Sequence, residues 1–297
     1  MYTQILKDTP FLLPATEKGR QLMQDALAPL SGVEVSTVGY SIRHRPINMY
    51  KFGNGGGRVA FFGAHHALES ITANILYAFV YIMNTPERAR LFAENAPALF
   101  TSLYTYYVVP CLNPDGIEIR YNGDPDSPVY DRLFKMSDGN FHTWQANGRG
   151  VDLNHNYEYG FAKYKKLELS RGISPGPTLY SGEYPESEPE SRLAANLVRI
   201  LSPRAVVSLH SQGEEIFYAP ISAERAAHSL AAELGYAVSL PTDTACYGGL
   251  CDYTGHTLGI PSFTIEIGRG KNPLPESSIP SILKRLSNAL MTLPKFV

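Results

Sequence analysis

Four apolar runs of this chain end in side chains that can hold a metal ion or carry a proton. Residues 59–63 lead to His65, His66 and Glu69; residues 205–209 lead directly to His210, Ser211 and Gln212; residues 103–112 lead to Asn113 and Asp115; and residues 263–267 carry Glu266 near their end. In open α/β sheets, ligand sites gather beyond the carboxyl ends of the strands. His66 and Glu69 are three apart, so in a helical turn both lie on one side, and imidazole and carboxylate are both zinc ligands. The same pair also reads as a loop histidine beside a glutamate that favours a helix start. His65, four residues before Glu69, competes with His66. His210 likewise fits a histidine satisfied at a sheet rim. Glu266 interrupts Ser-Phe-Thr-Ile-Glu-Ile-Gly (262–268), where a buried carboxylate is costly unless paired or used; the alternative is an alternating strand with Glu266 on a solvated face.

The elements that must position these groups follow from pattern. A loop and then a helix over 16–30 open the chain. Strand-like runs at 33–42, 47–53 and 59–63 follow, the last two separated by Asn54-Gly55-Gly56-Gly57, as in a meander entering a larger sheet. Residues 69–83 have helical character, and 103–112, rich in Tyr and Val, form a strand that stops at the turn signal Asn113-Pro114-Asp115-Gly116. From 115 to 183 periodicity is poor, and long irregular segments in compact domains tend to be functional. Helices are expected at 186–201, 222–234 and 278–293, with buried strands at 205–209 and 261–267. Strands alternating with helices, after an early meander, predict an α/β protein with a mixed sheet, and one domain over residues 1–297.

Composition limits the partners. The 297 residues are 44% hydrophobic and 18% charged, an ordinary globular balance. With 26 Lys and Arg against 28 Asp and Glu, the formal charge of -2 leaves no basic surplus for holding nucleic acid. No signal peptide is read at the start, and no apolar run is long enough to span a membrane, so a cytoplasmic location is expected. The cysteines, Cys111, Cys246 and Cys251, are odd in number and form no CxxC pair, which argues against a disulfide framework or a cysteine-rich zinc site.

Taken together, these residues resemble the zinc carboxypeptidase family, whose pattern is HxxE, a distant His and a Glu near the C-terminus. Gly63-Ala64-His65-His66-Ala67-Leu68-Glu69 resembles the ligand loop, residues 109–116 the NPDG turn, Gly150-Val151-Asp152-Leu153-Asn154 the substrate loop, and Ser187-Glu188-Pro189-Glu190 a helix start. Leu209-His210-Ser211-Gln212-Gly213 carries the third ligand and 263–268 the base. Order and spacing agree from about Gly39 to Pro275. The resemblance implies a mixed, roughly eight-stranded sheet flanked by helices. It implies one zinc ion on His66, Glu69 and His210, with the fourth position open as catalysis requires. Glu266 would take a proton from water and pass it to the leaving amine, and a cationic side chain would stabilise the oxyanion.

Two positions depart from the family pattern. The residue after the substrate-loop Asn154 is usually Arg, which grips a substrate's terminal carboxylate; here it is His155, which offers one contact in place of a bidentate fork. The oxyanion cation is read as Arg149, counting back from Gly150-Val151-Asp152; matching from Trp144 would place Gln145 there instead. The family's mobile tyrosine aligns near Thr244, with Tyr247 and Tyr253 close by. Asn154, His155, Ser211 and Tyr247 are the expected substrate contacts. Within the family the chain looks most like the bacterial γ-D-glutamyl-diamino-acid peptidases, through 210–216 and the aromatic residue after them, 268–275, and Trp144-Gln145-Ala146-Asn147. That likeness implies cleavage between γ-D-Glu and diaminopimelate in imported or recycled muropeptides. The alternatives are a metallocarboxypeptidase trimming ordinary C-termini, a non-catalytic module binding cell-wall peptides, and an amidase or deacylase on a small acyl-amino acid.

Overall fold

The apolar runs at 59–62 and 205–209, the second interrupted only by Ser208, lie in the middle of the sheet, where both faces are covered. The computed structural model describes residues 9–85, 96–125, 127–240 and 247–297, together with Thr3, Leu6 and Lys7. Its strands are β1 (Val33–Tyr40), β2 (Pro46–Phe52), β3 (Gly57–Phe62), β4 (Tyr104–Val109), β5 (Ala205–His210), β6 (Glu215–Ala219), β7 (Ala237–Ser239) and β8 (Ser262–Glu266). They form one eight-stranded sheet in the order β1-β2-β4-β3-β5-β8-β6-β7. The β4-β3-β5-β8 centre is parallel; β1, β2 and β6 join antiparallel and β7 pairs parallel to β6. The sheet is mixed and flanked by helices, as expected, and no helix of the described residues is long and apolar enough to cross a membrane.

Alternation along the strands divides the core in two. Val59 and Phe61 of β3, Val207 and Leu209 of β5, and Phe263 and Ile265 of β8 enter the larger cluster. Helices α1 (Glu17–Leu27), α2 (Ile71–Met83), α3 (Glu224–Leu234) and α4 (Ile279–Thr292) close that cluster. Ala60, Phe62 and Val206 enter the smaller one, with Ala194, Ala195 and Val198 of the helix Pro189–Leu201. Side chains two apart on a strand share a face. Ser208 and His210 therefore lie on the smaller cluster's side of β5, and Thr264 and Glu266 on the same side of β8. The register pairs His210 with Glu266, so the two functional side chains sit next to each other across the strand boundary.

Several expectations change. Asn113-Pro114-Asp115-Gly116 is the start of a helix, Pro114–Asn122, and not a free turn: the Asn113 side chain caps it by accepting from Gly116 N–H at 2.9 Å, and Pro114 takes the first position. Asn and Pro serve both purposes, since each fits a turn and a helix start. The span read as irregular also holds helices Tyr130–Met136 and Phe161–Arg171. The second buries only Phe161, Tyr164 and Glu168, a stripe too narrow for strong periodicity. Strands β6 and β7, five and three residues long, were not expected; they extend the sheet beyond β8. The expected opening helix spans Glu17–Leu27, capped by Thr16 accepting from Gly19 N–H.

Candidate metal centre and active site

The loop after β3 is tied before any ligand is considered. Gly63 follows the strand because a Cβ there would lie 2.7 Å from the Pro110 carbonyl. Ala64 adopts φ of 51°, and its N–H donates to Thr72 Oγ1, whose own proton goes to the Glu69 carbonyl at 2.8 Å. Asn113 Nδ2 donates to the carbonyls of His65, Gln145 and Ala146 at 3.0, 3.2 and 3.1 Å. His66 then stands in extended conformation before the 3-10 turn Ala67–Glu69.

On this frame His66 and His210 both turn Nδ1 to one carboxylate. His66 Nδ1 lies 3.1 Å from Glu69 Oε1, and His210 Nδ1 lies 3.0 Å from Glu69 Oε2. Donor atoms of His66, Glu69 and His210 fall within 4.8 Å of one another. The opposite ring nitrogens are tied off: His66 Nε2 to Asp152 Oδ1 and His210 Nε2 to Ser208 Oγ, each at 3.0 Å. Two imidazoles and a carboxylate, each imidazole fixed by a partner behind it, suit a zinc ion in both donor type and support. His65 faces elsewhere. It is fully buried between Ser208 Oγ (3.2 Å) and Tyr157 OH (3.0 Å), so both ring nitrogens are engaged. Burial, with His210 and His66 close, holds its imidazole well below the usual range. Of the two histidines left open by spacing, His66 is the one in the cluster.

The electrostatics follow from these contacts. Burial favours a neutral Glu69, but the His66 and His210 charges outweigh it and hold the carboxyl well down. The same contest at Asp152 is won by His66. Glu266 moves the opposite way: burial, then the Glu69 charge, push its carboxyl up. A cation held by the trio would reduce that repulsion and draw Glu266 back toward its ordinary range. Ser211 N–H also donates to Glu69 Oε2 at 3.2 Å, and Ser211 Oγ to Asn272 Oδ1 at 2.9 Å.

The remaining candidates are placed less uniformly. Asn154 accepts from Leu250 N–H through Oδ1 at 3.2 Å, which leaves Nδ2 for another acceptor. His155 stacks on Tyr164, with centroids 4.0 Å apart, and its Nδ1 lies 2.8 Å from the Tyr247 carbonyl. The Tyr247 ring sits against Gly160, with Lys163 Nζ 5.3 Å from its centroid. Tyr253 is buried, stacked on Tyr157. Thr244 and Cys246 lie outside the described residues; Cys111 and Cys251 are free and buried. Arg149 is not brought to the cluster. Its Nε and Nη2 donate to Glu188 at 3.0 and 2.8 Å. An oxyanion role requires the guanidinium to leave that partner; in the arrangement seen, Arg149 ties the 147–152 loop to the start of the helix Pro189–Leu201. Gln145 accepts from Thr178 through Oε1 at 2.9 Å.

Sequence reasoning missed two supporting residues. Ser208 is two before His210 on one strand face, a parity that a polar residue inside Ala-Val-Val-Ser-Leu could have signalled. Asp152 was read as substrate loop alone, and nothing in the spacing links it to His66, 86 positions earlier. Asp152→Ala should weaken metal binding about ten- to a hundredfold, measured by competition against a chelator; unchanged affinity would remove Asp152 from the centre.

The zinc carboxypeptidase family model matches residues 21–289. Gamma-D-glutamyl-L-diamino acid endopeptidase 1 of Lysinibacillus sphaericus is 30% identical over 256 residues, 82% of this chain, and the chain spans 63% of that relative's length. Murein peptide amidase A of Escherichia coli (strain K12) is 30% identical over 117 residues, 38% of each chain. Bovine thrombin-activatable fibrinolysis inhibitor, solved with a tick carboxypeptidase inhibitor, superposes with a TM-score of 0.72 at 21% identity, covering 96% of this chain and 97% of that one; it shares the fold. The motifs that suggested the family thus lie inside a match that runs from the opening helix to the last one. The chain belongs to the zinc carboxypeptidase family, a family of metallopeptidases of the hydrolase class.

Proposed function

We propose that the chain hydrolyses the amide bond between γ-D-glutamate and a diamino acid in peptidoglycan-derived peptides, using one zinc ion on His66, Glu69 and His210 and Glu266 as general base. The observation that carries the chemistry is the β5–β8 register, which sets Glu266 beside His210. The substrate class is supported by likeness to the Lysinibacillus sphaericus relative over 82% of this chain.

Bound zinc would polarise the scissile carbonyl and lower the pKa of water to about 7. The chain's own groups do the rest. Glu266 accepts the proton of the attacking water and returns it to the leaving amine. Asp152 and Ser208 fix the two imidazoles so that neither has to reorient during turnover. Asn154 Nδ2, the Nε2 of His155, Ser211 and Tyr247 are the proposed substrate contacts.

A metallocarboxypeptidase acting on ordinary C-termini is the second reading, and His155 separates the two. With one ring nitrogen on the Tyr247 carbonyl and the ring stacked on Tyr164, it can offer a substrate carboxylate a single nitrogen at most. The zinc-loaded protein should release diaminopimelate from L-Ala-γ-D-Glu-meso-diaminopimelate and leave an α-linked peptide with a free C-terminus intact, with products read by mass spectrometry. Cleavage of the α-linked peptide alone would replace this reading with the second.

A further inference from the structure

Four guanidiniums gather around the turn from β1 to β2, and the reaction just derived uses none of them. Arg43 and Arg45 on that turn, Arg132 on the helix Tyr130–Met136 and Arg149 on the 147–152 loop line one cavity of about 680 Å³. Its walls bring only two acids, Glu17 and Asp124, and both are already paired. Asp124 takes Arg43 and Arg45, and Glu17 takes Arg45. Arg45 also reaches the buried Asp115, and Arg149 is held by Glu188. The exposed Arg132 has no acid partner among the described residues. Like charges crowded into a partly buried space repel, and their desolvation is costly unless an anion answers them.

Arg43 shows the deficit most directly. Its side chain is 13% exposed, Nη1 donates to Asp124 and Nη2 to the Gly148 carbonyl at 3.3 Å. Its buried Nε has no hydrogen-bond partner among the described residues. A Cβ added at Gly148 would stand 2.9 Å from that Nε and 2.9 Å from Ile42 Cγ2, so the guanidinium lies directly on the backbone of one wall. Burial holds Arg43 below its ordinary range; Asp115 acts the other way, and the charges of Arg45 and Arg132 add to burial. Ile42 and Val129 supply an apolar surface in the same cavity. Its volume is that of a site for a small organic molecule, well beyond one bare oxyanion. Guanidinium forks match the paired oxygens of carboxylates and phosphates. Arg132 and Arg149 also line an adjoining cavity of about 150 Å³, and none of His66, Glu69, His210 and Glu266 lines either space.

We propose that this cavity is a second binding site, separate from the metal centre, for a small organic oxyanion. The ligand is a carboxylate or a phosphate ester whose charged end meets Arg132, Arg149 and Arg43 and whose apolar body lies on Ile42 and Val129. The inference does not depend on the substrate proposed above, because no residue given a role in that reaction lines the cavity.

The test titrates phenyl phosphate and benzoate, with phenol as the uncharged control, into the zinc-loaded protein by isothermal titration calorimetry. At least one of the two anions should bind, and phenol should bind about tenfold or more weakly than it does. Arg132→Glu reverses a charge at an exposed residue and should weaken the anion about tenfold or more. Val129→Asp sets an acid against the apolar wall and should weaken it too; if either variant fails to fold, the other carries the comparison. His210→Ala, which removes the metal, should leave this binding in place. Tighter binding of phenyl phosphate would make the ligand a phosphate ester, and of benzoate a carboxylate; either result upholds the site. Binding that is lost in His210→Ala and kept in Arg132→Glu would put the anion on the metal and overturn the inference. Binding of neither anion, or an affinity that both Arg132→Glu and Val129→Asp leave unchanged, would overturn it as well.

Discussion

Glu266→Gln is expected to bind metal like the parent protein and to cleave peptide about a thousandfold more slowly. The amide keeps the volume of the carboxylate and removes its capacity to accept a proton, while the ligands on β5 and the β3 loop are untouched. Elemental analysis and peptide release on the same preparation separate the two effects. Turnover at the parent rate would take Glu266 out of the mechanism, and lost metal would make it part of the binding centre. The result depends on strand parity: with His210 and Glu266 paired in register, a slip of one residue in β8 would carry Glu266 to the larger apolar cluster. A one-residue deletion inside the strand should therefore be as damaging as the substitution, although the sheet remains.

His210→Ala should abolish stoichiometric metal. It removes one of three donors and leaves Glu69 Oε2 and Ser208 Oγ without the imidazole that joins them. The histidine pair sharpens the test. His66→Ala should lose metal in the same way. His65→Ala should retain it and instead lower stability by about 1–3 kcal/mol, because Tyr157 OH and Ser208 lose a buried partner. Metal content after dialysis and a denaturant titration read the two outcomes. Metal retained in His66→Ala and lost in His65→Ala would move the ligand assignment by one residue.

The legible parts of this protein share a physical cause. Strands β3, β5 and β8 are covered on both faces, so their sequences are nearly continuous apolar runs, and the polar residue that ends each run announces itself. The segment between 115 and 183 obeys weaker rules. The helix Phe161–Arg171 rests on three buried side chains, one of them Glu168, and the helix at Pro114 starts with residues that a turn would also use. Strands β6 and β7 are too short for alternation to register. At the site, ligand type was readable because few residues bind zinc. What fixes each ligand was not: Asp152 reaches His66 only through the loop that Asn113 and Tyr180 anchor, with Asp152 N–H on the Tyr180 carbonyl at 2.7 Å. Arg149 illustrates the converse, a cation correctly placed near the substrate loop in sequence but occupied by Glu188 in space.

Asn113 joins three segments through one amide: the carbonyl of His65, those of Gln145 and Ala146, and the first turn of the helix it caps. The loop bearing two metal ligands and the stretch leading to the substrate loop therefore cannot loosen independently. Their ordering is completed when the chain folds, and little conformational entropy remains to be lost when metal or peptide arrives. The centre is in this sense assembled in advance of its ligands, and the side chain responsible touches neither of them.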